Sequence, residues 1–380
     1  MDLVLSEDQE LIAKTTADFV KQKSPIARVR ELRDTNDPVG FSRALWKEMA
    51  ELGWVGIAFP ESVGGAGLGF AELCVVLEEL GRSLAPEPFL STVLLAGQAL
   101  LLSGDEAKTA AWLPGVCKGD TILALAQQEA KSRYDLASVE TRAERAGAGF
   151  RLTGEKIQVL DGHLADAFVV AARTAGGPRE AAGITLFLVP KGASGLAVTR
   201  QTRLDGRNAA LVRLDGVGVG ADAVLGGVDA GHALLARAVD RATVGLCAEM
   251  LGGMNQAFAL TVAHLKTRMQ FGVPIGTFQA LKHRAANVFI ELELAKSAVM
   301  AAARAVDRDD PDLAKGVSLT KARCSDAYVL AANEGVQMFG GVGMTDEYDI
   351  GFYMKRARAA ELTFGDAAFH RARWATLAGY

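Results

Sequence analysis

Few residues in this chain announce a chemistry by themselves. Four of its 380 residues are cysteines, Cys74, Cys117, Cys247 and Cys324, and no two form a C-x-x-C pair. That spacing argues against a disulfide framework or a zinc site and suits reduced thiols in a cytoplasm. The five histidines, His163, His232, His264, His283 and His370, show no metal-binding spacing. Neither sign of charge prevails. Lys and Arg number 41 against 45 Asp and Glu, a net charge of −4, so no global basic field points to nucleic acid. Apolar runs such as 75–80 meet charges well short of membrane length. The opening Met1-Asp2-Leu3-Val4-Leu5 carries no basic leader. Repeats and low-complexity tracts are absent from the sequence. The expectation is a cytoplasmic chain with neither nucleic-acid nor membrane partners.

What the sequence does hold is apolar content. Half of its residues are hydrophobic, enough at this length to fill the cores of two or three domains. Residues 1–118 read as helix. Ser6 with Gln9 has the capping-box pattern. Phe41, Leu45, Met49 and Leu52 recur at helical spacing before Gly53. A helix through Leu80 is expected to stop at Gly81. Residues 119–228 change character. Short apolar or alternating runs near 122–126, 168–172, 184–189, 196–199 and 210–214 are separated by Gly, Pro and Asp, which predicts a small antiparallel sheet. Residues 229–380 return to helix, with long runs at 280–306 and 313–339. Helices, then strands, then helices predict an α+β fold: an N-terminal helical domain, a central β-domain and a C-terminal four-helix bundle. The order argues against a βαβ series.

Several segments suit an anion. The stretch 268–279, Arg-Met-Gln-Phe-Gly-Val-Pro-Ile-Gly-Thr-Phe-Gln, sets a planar, always-charged fork beside a Gly/Pro break between helices. That geometry suits a pyrophosphate; the plain alternative is a helix-loop-helix with a solvated arginine. In 337–345, Gly340 and Gly341 would let backbone N–H groups approach an anion, or merely cap a helix. The glycine string 64–69 has no Rossmann strand before it and no P-loop lysine after it, and reads as a turn. Asp240, beside Arg241 on a predicted helix, reads by itself as half of an ordinary ion pair.

Taken together, these segments resemble the acyl-CoA dehydrogenase family over nearly the whole chain. Residues 60–67 are similar to its Pro-Glu-x-x-Gly-Gly-x-Gly, 268–279 to its Arg-x-Gln-Phe-Gly-x-Pro-Ile-x-x-Phe-Gln, and 337–341 to its Gln-x-x-Gly-Gly. The resemblance implies FAD, held across a subunit boundary by Arg268, Phe271, Gln279, Gln337, Gly340 and Gly341, with Arg241 near the substrate and a base role for Asp240 beside it. It implies α,β-desaturation of an acyl-CoA thioester, electrons leaving to an electron-transfer flavoprotein, and a homo- or hetero-oligomer.

The sequence departs from the family's pattern in three places. Where the family ends in Tyr-Glu-Gly-Thr, with Glu as base, this chain has Thr363-Phe364-Gly365-Asp366, and a phenyl ring cannot accept a proton. Arg133 and Tyr134 replace the Gly and Ser of the loop that holds the subunit's own flavin ring. Gln158 and Leu160 replace a flavin-covering Trp and a Thr that bonds the ring; leucine offers no donor or acceptor. These departures are similar to the small-subunit branch typified by pimeloyl-CoA dehydrogenase. Three readings stay open. The chain is a subunit of a heteromeric enzyme whose partner supplies the base; or a self-sufficient homo-oligomer using Asp240; or a non-catalytic scaffold or acyl-CoA-binding subunit.

Overall fold

The computed structural model describes residues 4–380. Ser6 and Gln9 form the expected reciprocal cap. Ser6 Oγ accepts from the Gln9 N–H at 3.2 Å, and Gln9 Oε1 accepts from the Ser6 N–H at 3.1 Å. They open α1 (Glu7–Lys23), followed by α2 (Ile26–Asp34), α3 (Arg43–Glu51) and α4 (Phe70–Arg82). A fully buried π-helical stretch, Phe89–Gly97, runs into α5 (Gln98–Leu102), and α6 (Glu106–Cys117) follows.

Eight strands come next: β1 (Leu123–Ala126), β2 (Arg142–Ala146), β3 (Gly149–Leu160), β4 (Ala167–Arg173), β5 (Ile184–Pro190), β6 (Leu196–Thr202), β7 (Asn208–Val219) and β8 (Val224–Leu225). They form one sheet in the order β6-β7-β3-β2-β4-β5-β8, with β1 added on β4. The antiparallel expectation holds for most pairings and needs one amendment. β1 and β2 both pair parallel with β4; β3 carries the chain back antiparallel to β2, so β4 starts again in the direction of β2. β2 gave no apolar run in the sequence since Arg142, Glu144 and Arg145 all face water. The sheet core gathers Phe150, Leu152, Phe168, Phe187 and Val212, with the Phe150 and Phe187 rings edge to face at 5.1 Å.

The last third holds α7 (Gly231–Thr267), a short hairpin of β9 (Met269–Gln270) and β10 (Val273–Pro274), then α8 (Gln279–Asp307), α9 (Leu313–Phe339), α10 (Ile350–Leu362) and α11 (Ala367–Leu377). The chain divides into two compact units. One holds the stretch ending at Thr35, Gly69–Ala85 and Thr243–Tyr380; the other holds Asn36–Leu68 and Pro86–Ala242.

In the first unit, Gly81 does not end its helix as expected; α4 continues to Arg82. A Cβ on Gly81 would stand 2.2 Å from Glu249 O, and one on Gly252 would stand 1.8 Å from Glu78 O. The two glycines let the backbones of α4 and α7 touch, and that contact, not a cap, requires them.

In the second unit, a buried ion pair fastens a loop to the sheet. Lys156 on β3 is wholly buried and donates to Glu129 Oε1 at 2.6 Å. The same carboxylate accepts the N–H groups of Glu140 at 2.7 Å and Thr141 at 2.9 Å. Burial disfavours the Glu129 charge, but Lys156 and the Thr141 donors outweigh it, so its pKa lies below the usual carboxylate range. A carboxylate with three donors stabilises; a buried lysine without one does not. Glu129→Gln is therefore expected to lose about 3–5 kcal/mol in urea unfolding, and Glu129→Gln/Lys156→Met to recover part of the loss.

Candidate functional site

β9 and β10 make a two-residue hairpin. Gln270 pairs with Val273, leaving Phe271 and Gly272 as the turn. Both have positive φ, +53° and +79°, the combination of a type I′ turn. Glycine adopts it freely; a bulky side chain is strained there. Phe271 is nonetheless 92% exposed, touching Phe278 edge-on at 6.0 Å. Backbone bonds fix the start of the hairpin: the Arg268 N–H donates to His264 O at 2.9 Å, and Arg268 O accepts from Ile275 at 2.8 Å. Gln279 opens α8, whose N-cap, Phe278, supplies no side-chain cap.

At the end of α9, Gly340 has φ +70° and ψ −148°, backbone territory almost reserved to glycine. Gly341 is a different case. Its φ is not left-handed, and a Cβ there would meet nothing within 4 Å. Neither conformation nor packing within this chain calls for glycine at 341, and the space above it is open. Arg268, Phe271, Gln279, Gln337, Gly340 and Gly341 are all exposed.

Three rings join these two segments. The His264 imidazole lies flat on Phe339 at 4.1 Å and 12°, and Tyr348 meets Phe339 edge-on at 5.5 Å. Phe339 directly precedes Gly340, and His264 stands one turn before Arg268. The stack thus brings the arginine hairpin and the diglycine turn side by side. Burial lowers the His264 pKa and the Arg268 charge lowers it further, so the ring is neutral at neutral pH. Sequence reasoning missed His264 because a lone histidine on a helix carries no spacing signal.

Phe364 sits in a turn between α10 and α11 with φ +61°. Two buried groups hold that turn. Lys321 on α9 donates to Glu361 O at 2.9 Å, Gly365 O at 2.7 Å and Ser325 Oγ at 3.1 Å. His370 Nε2 bonds Phe364 O at 3.1 Å. The acid two residues on, Asp366, caps α11 through the Phe369 N–H at 2.8 Å. Burial pushes the Lys321 ammonium down to about 8 and the His370 imidazolium down to about 3.

The second unit carries the other sequence candidates. Asp240 is buried on α7, and Arg241 Nη1 donates to Gln98 Oε1 at 2.8 Å. Gln158 is exposed at a β-bulge with φ +52°, and Leu160 is buried. Arg133, at φ +47°, lies over the Tyr134 ring at 5.1 Å. Nine non-glycine residues have positive φ among those described, and five of them, Arg133, Gln158, Asp161, Phe271 and Phe364, lie in the segments singled out from sequence. Backbone strain of this kind gathers at functional sites. An open basin of about 680 Å³ in this unit is lined by Arg142, Arg145, Phe150, Arg173 and Thr174. Arg173 is committed: its guanidinium donates to five backbone carbonyls, those of Ala137, Val139, Ala175, Glu180 and Ala182. Among the described residues no cluster of three or more His, Cys, Asp or Glu could hold a metal, and no helix is long and apolar enough to cross a membrane.

The clamp at Phe364 makes a linkage prediction. The Lys321 pKa falls from 10.5 to about 8 in the folded chain. Between those values the unfolded chain binds more protons, so this group makes stability rise with pH. Urea unfolding followed upward from neutral pH is expected to give a less positive dependence on pH in Lys321→Met than in the natural protein, in which burial of Cys74, Cys117 and Cys324 acts in the opposite sense. An unchanged slope in the variant contradicts the assignment.

Three acyl-CoA dehydrogenase family models match the chain: the N-terminal domain at residues 6–120, the middle domain at 124–217 and the C-terminal domain at 229–377. The mitochondrial isovaleryl-CoA dehydrogenase of Pongo abelii is 30% identical over 377 residues, covering 97% of this chain and 88% of that protein. A chain of the ChsE4-ChsE5 complex from Mycobacterium tuberculosis superposes with a TM-score of 0.89 at 30% identity, covering 100% of both chains. The Tcur3481-Tcur3483 steroid ACAD variant gives a TM-score of 0.87 at 31% identity, covering 98% of each. With its α+β architecture and motif segments in place, this chain belongs to the acyl-CoA dehydrogenase family of FAD-dependent oxidoreductases.

Proposed function

We propose that this chain is one subunit of a heteromeric acyl-CoA dehydrogenase, holding the nucleotide half of an FAD whose reactive ring is seated in the partner subunit. The observation that carries the reading is the exposed face on which the His264–Phe339 stack sets the Arg268 hairpin beside the Gly340–Gly341 turn, with open space above Gly341. The fit extends around it. Arg268 offers a fork to phosphate oxygens, Gly340 and Gly341 expose backbone N–H groups, Gln279 and Gln337 offer amides, and the Phe271 ring stands out to meet a neighbour. FAD supplies the hydride acceptor for the β-carbon of the acyl group.

The other half of the reading concerns proton removal. Position 364 offers a phenyl ring and Asp366 is spent on a helix cap, so the base comes from the partner. A general base is worth roughly 10²–10⁴-fold, too much for an active enzyme to forgo. Two solved relatives near 30% identity carry two-component names, ChsE4-ChsE5 and Tcur3481-Tcur3483, which supports a two-chain assembly. The steroid in the second name makes a bulky acyl-CoA the first substrate to test. Arg241 is assigned to the substrate side, and an electron-transfer flavoprotein to collecting the electrons. Arg142 and Arg145, in the basin of the second unit, suit the anionic nucleotide of CoA.

The buried carboxylate of Asp240 supports a second reading, a homo-oligomer with its own base. Flavin stoichiometry separates the two. The chain purified alone is expected to bind no FAD, and the chain with its companion subunit to bind one FAD per pair. Gly341→Val is expected to release that FAD, and Asp240→Asn to leave turnover intact. One FAD per chain in an active assembly of this polypeptide alone, silenced by Asp240→Asn, would establish the homo-oligomer instead.

A further inference from the structure

We infer that Arg30 and Arg33, on the N-terminal helix α2, are positioning residues that set the diglycine turn in its binding conformation. The inference rests on the nucleotide-holding role given above to Gly340 and Gly341. The 3₁₀ turn Gly340–Met344 leads into residues 345–349, a run of turns and bends with little packing of its own. Met344 is 72% exposed, and residues 345–347 face water. Something other than burial must hold this segment in shape.

One side is held by Tyr348 against Phe339. The other side is held by charge. Arg33 grips the Asp346 carboxylate with both terminal nitrogens, Nη1 to Oδ1 at 2.6 Å and Nη2 to Oδ2 at 2.7 Å. Arg30 Nη1 donates to Asp346 Oδ2 at 2.9 Å and to Asp346 O at 2.5 Å, while its Nη2 reaches Asp349 Oδ1 at 2.8 Å. Both guanidinium groups also lie over one ring, that of Phe352, each 4.7 Å from its centroid.

Isolated surface ion pairs contribute little, because two flexible chains must be fixed for one attraction. This cluster differs in three respects. The pairing is bidentate, the carboxylate is shared, and a buried ring fixes both guanidinium planes. The Arg33 bonds hold the Asp346 carboxyl at about 2, so it is fully charged at neutral pH. A loop whose N–H groups must meet a phosphate binds more tightly when its shape exists beforehand, since the ordering cost then falls outside the binding step. Four residues lie between Gly341 and Asp346, so the clamp and the aromatic stack bracket the turn closely.

The test uses the enzyme assembled with its partner and reads FAD affinity from flavin fluorescence, at low salt and at about 1 M salt, where the Debye length is near 3 Å. Arg33→Ala and Asp346→Ala are each expected to weaken FAD binding about five- to tenfold, with the double variant no weaker than either single one. Salt is expected to weaken FAD binding to every form, because exposed Arg268 meets the phosphates, and to weaken it more in the natural protein than in the variants. Arg33→Lys, a charge without a fork, is expected to restore only part of the affinity. In the flavin-free chain, amide exchange across 340–349 is expected to quicken in the same variants. Should the alanine variants fail to fold, Arg33→Lys and the salt titration carry the test. Natural affinity in Arg33→Ala and Asp346→Ala, alongside lost FAD in Gly341→Val, overturns the inference and leaves the nucleotide role standing. Natural affinity in Gly341→Val as well overturns the nucleotide role itself.

Discussion

A flat contact between two rings, His264 on Phe339, governs the geometry of the candidate site. Each ring ends a long helix, and each is followed almost at once by a motif segment. Without the stack, the arginine hairpin and the diglycine turn would be two separate surface features. With it they form one exposed face. Partial burial, with the Arg268 charge, lowers the pKa of this imidazole.

Three of the segments that depart from the family pattern hold strained backbone. Arg133 and Phe364 hold left-handed conformations that favour glycine, and Gln158 holds one at a bulge. Keeping such conformations with bulky or polar side chains costs on the order of 1–3 kcal/mol each, offset by neighbours that over-determine the fold. Lys321 and His370 do this at Phe364. Glu129 and Lys156 do it for the loop before β2.

Much of the architecture was legible because it is local. The capping box at Ser6, the helices at 280–306 and 313–339, and the runs that became β4 and β5 follow from periodicity and turn chemistry that each segment carries in itself. The parallel pairing of β1 and β2 with β4 was not legible, because strand direction depends on where a crossover returns. Gly81 was misread for a related reason. A glycine that ends a helix and one that admits another backbone look alike until the second backbone is in view.

The sequence by itself determined the residue types that the chemistry needs or lacks: an arginine fork at 268, two glycines at 340 and 341, and a phenyl ring where a carboxylate is expected at 364. These are facts of composition at fixed positions, and no folding alters them. Only the tertiary structure decided which of them share a surface. His264 meets Phe339 across 75 residues of chain, and Arg33 meets Asp346 across 313. Neither pair has a spacing rule, because contacts so distant in sequence depend on how whole helices pack.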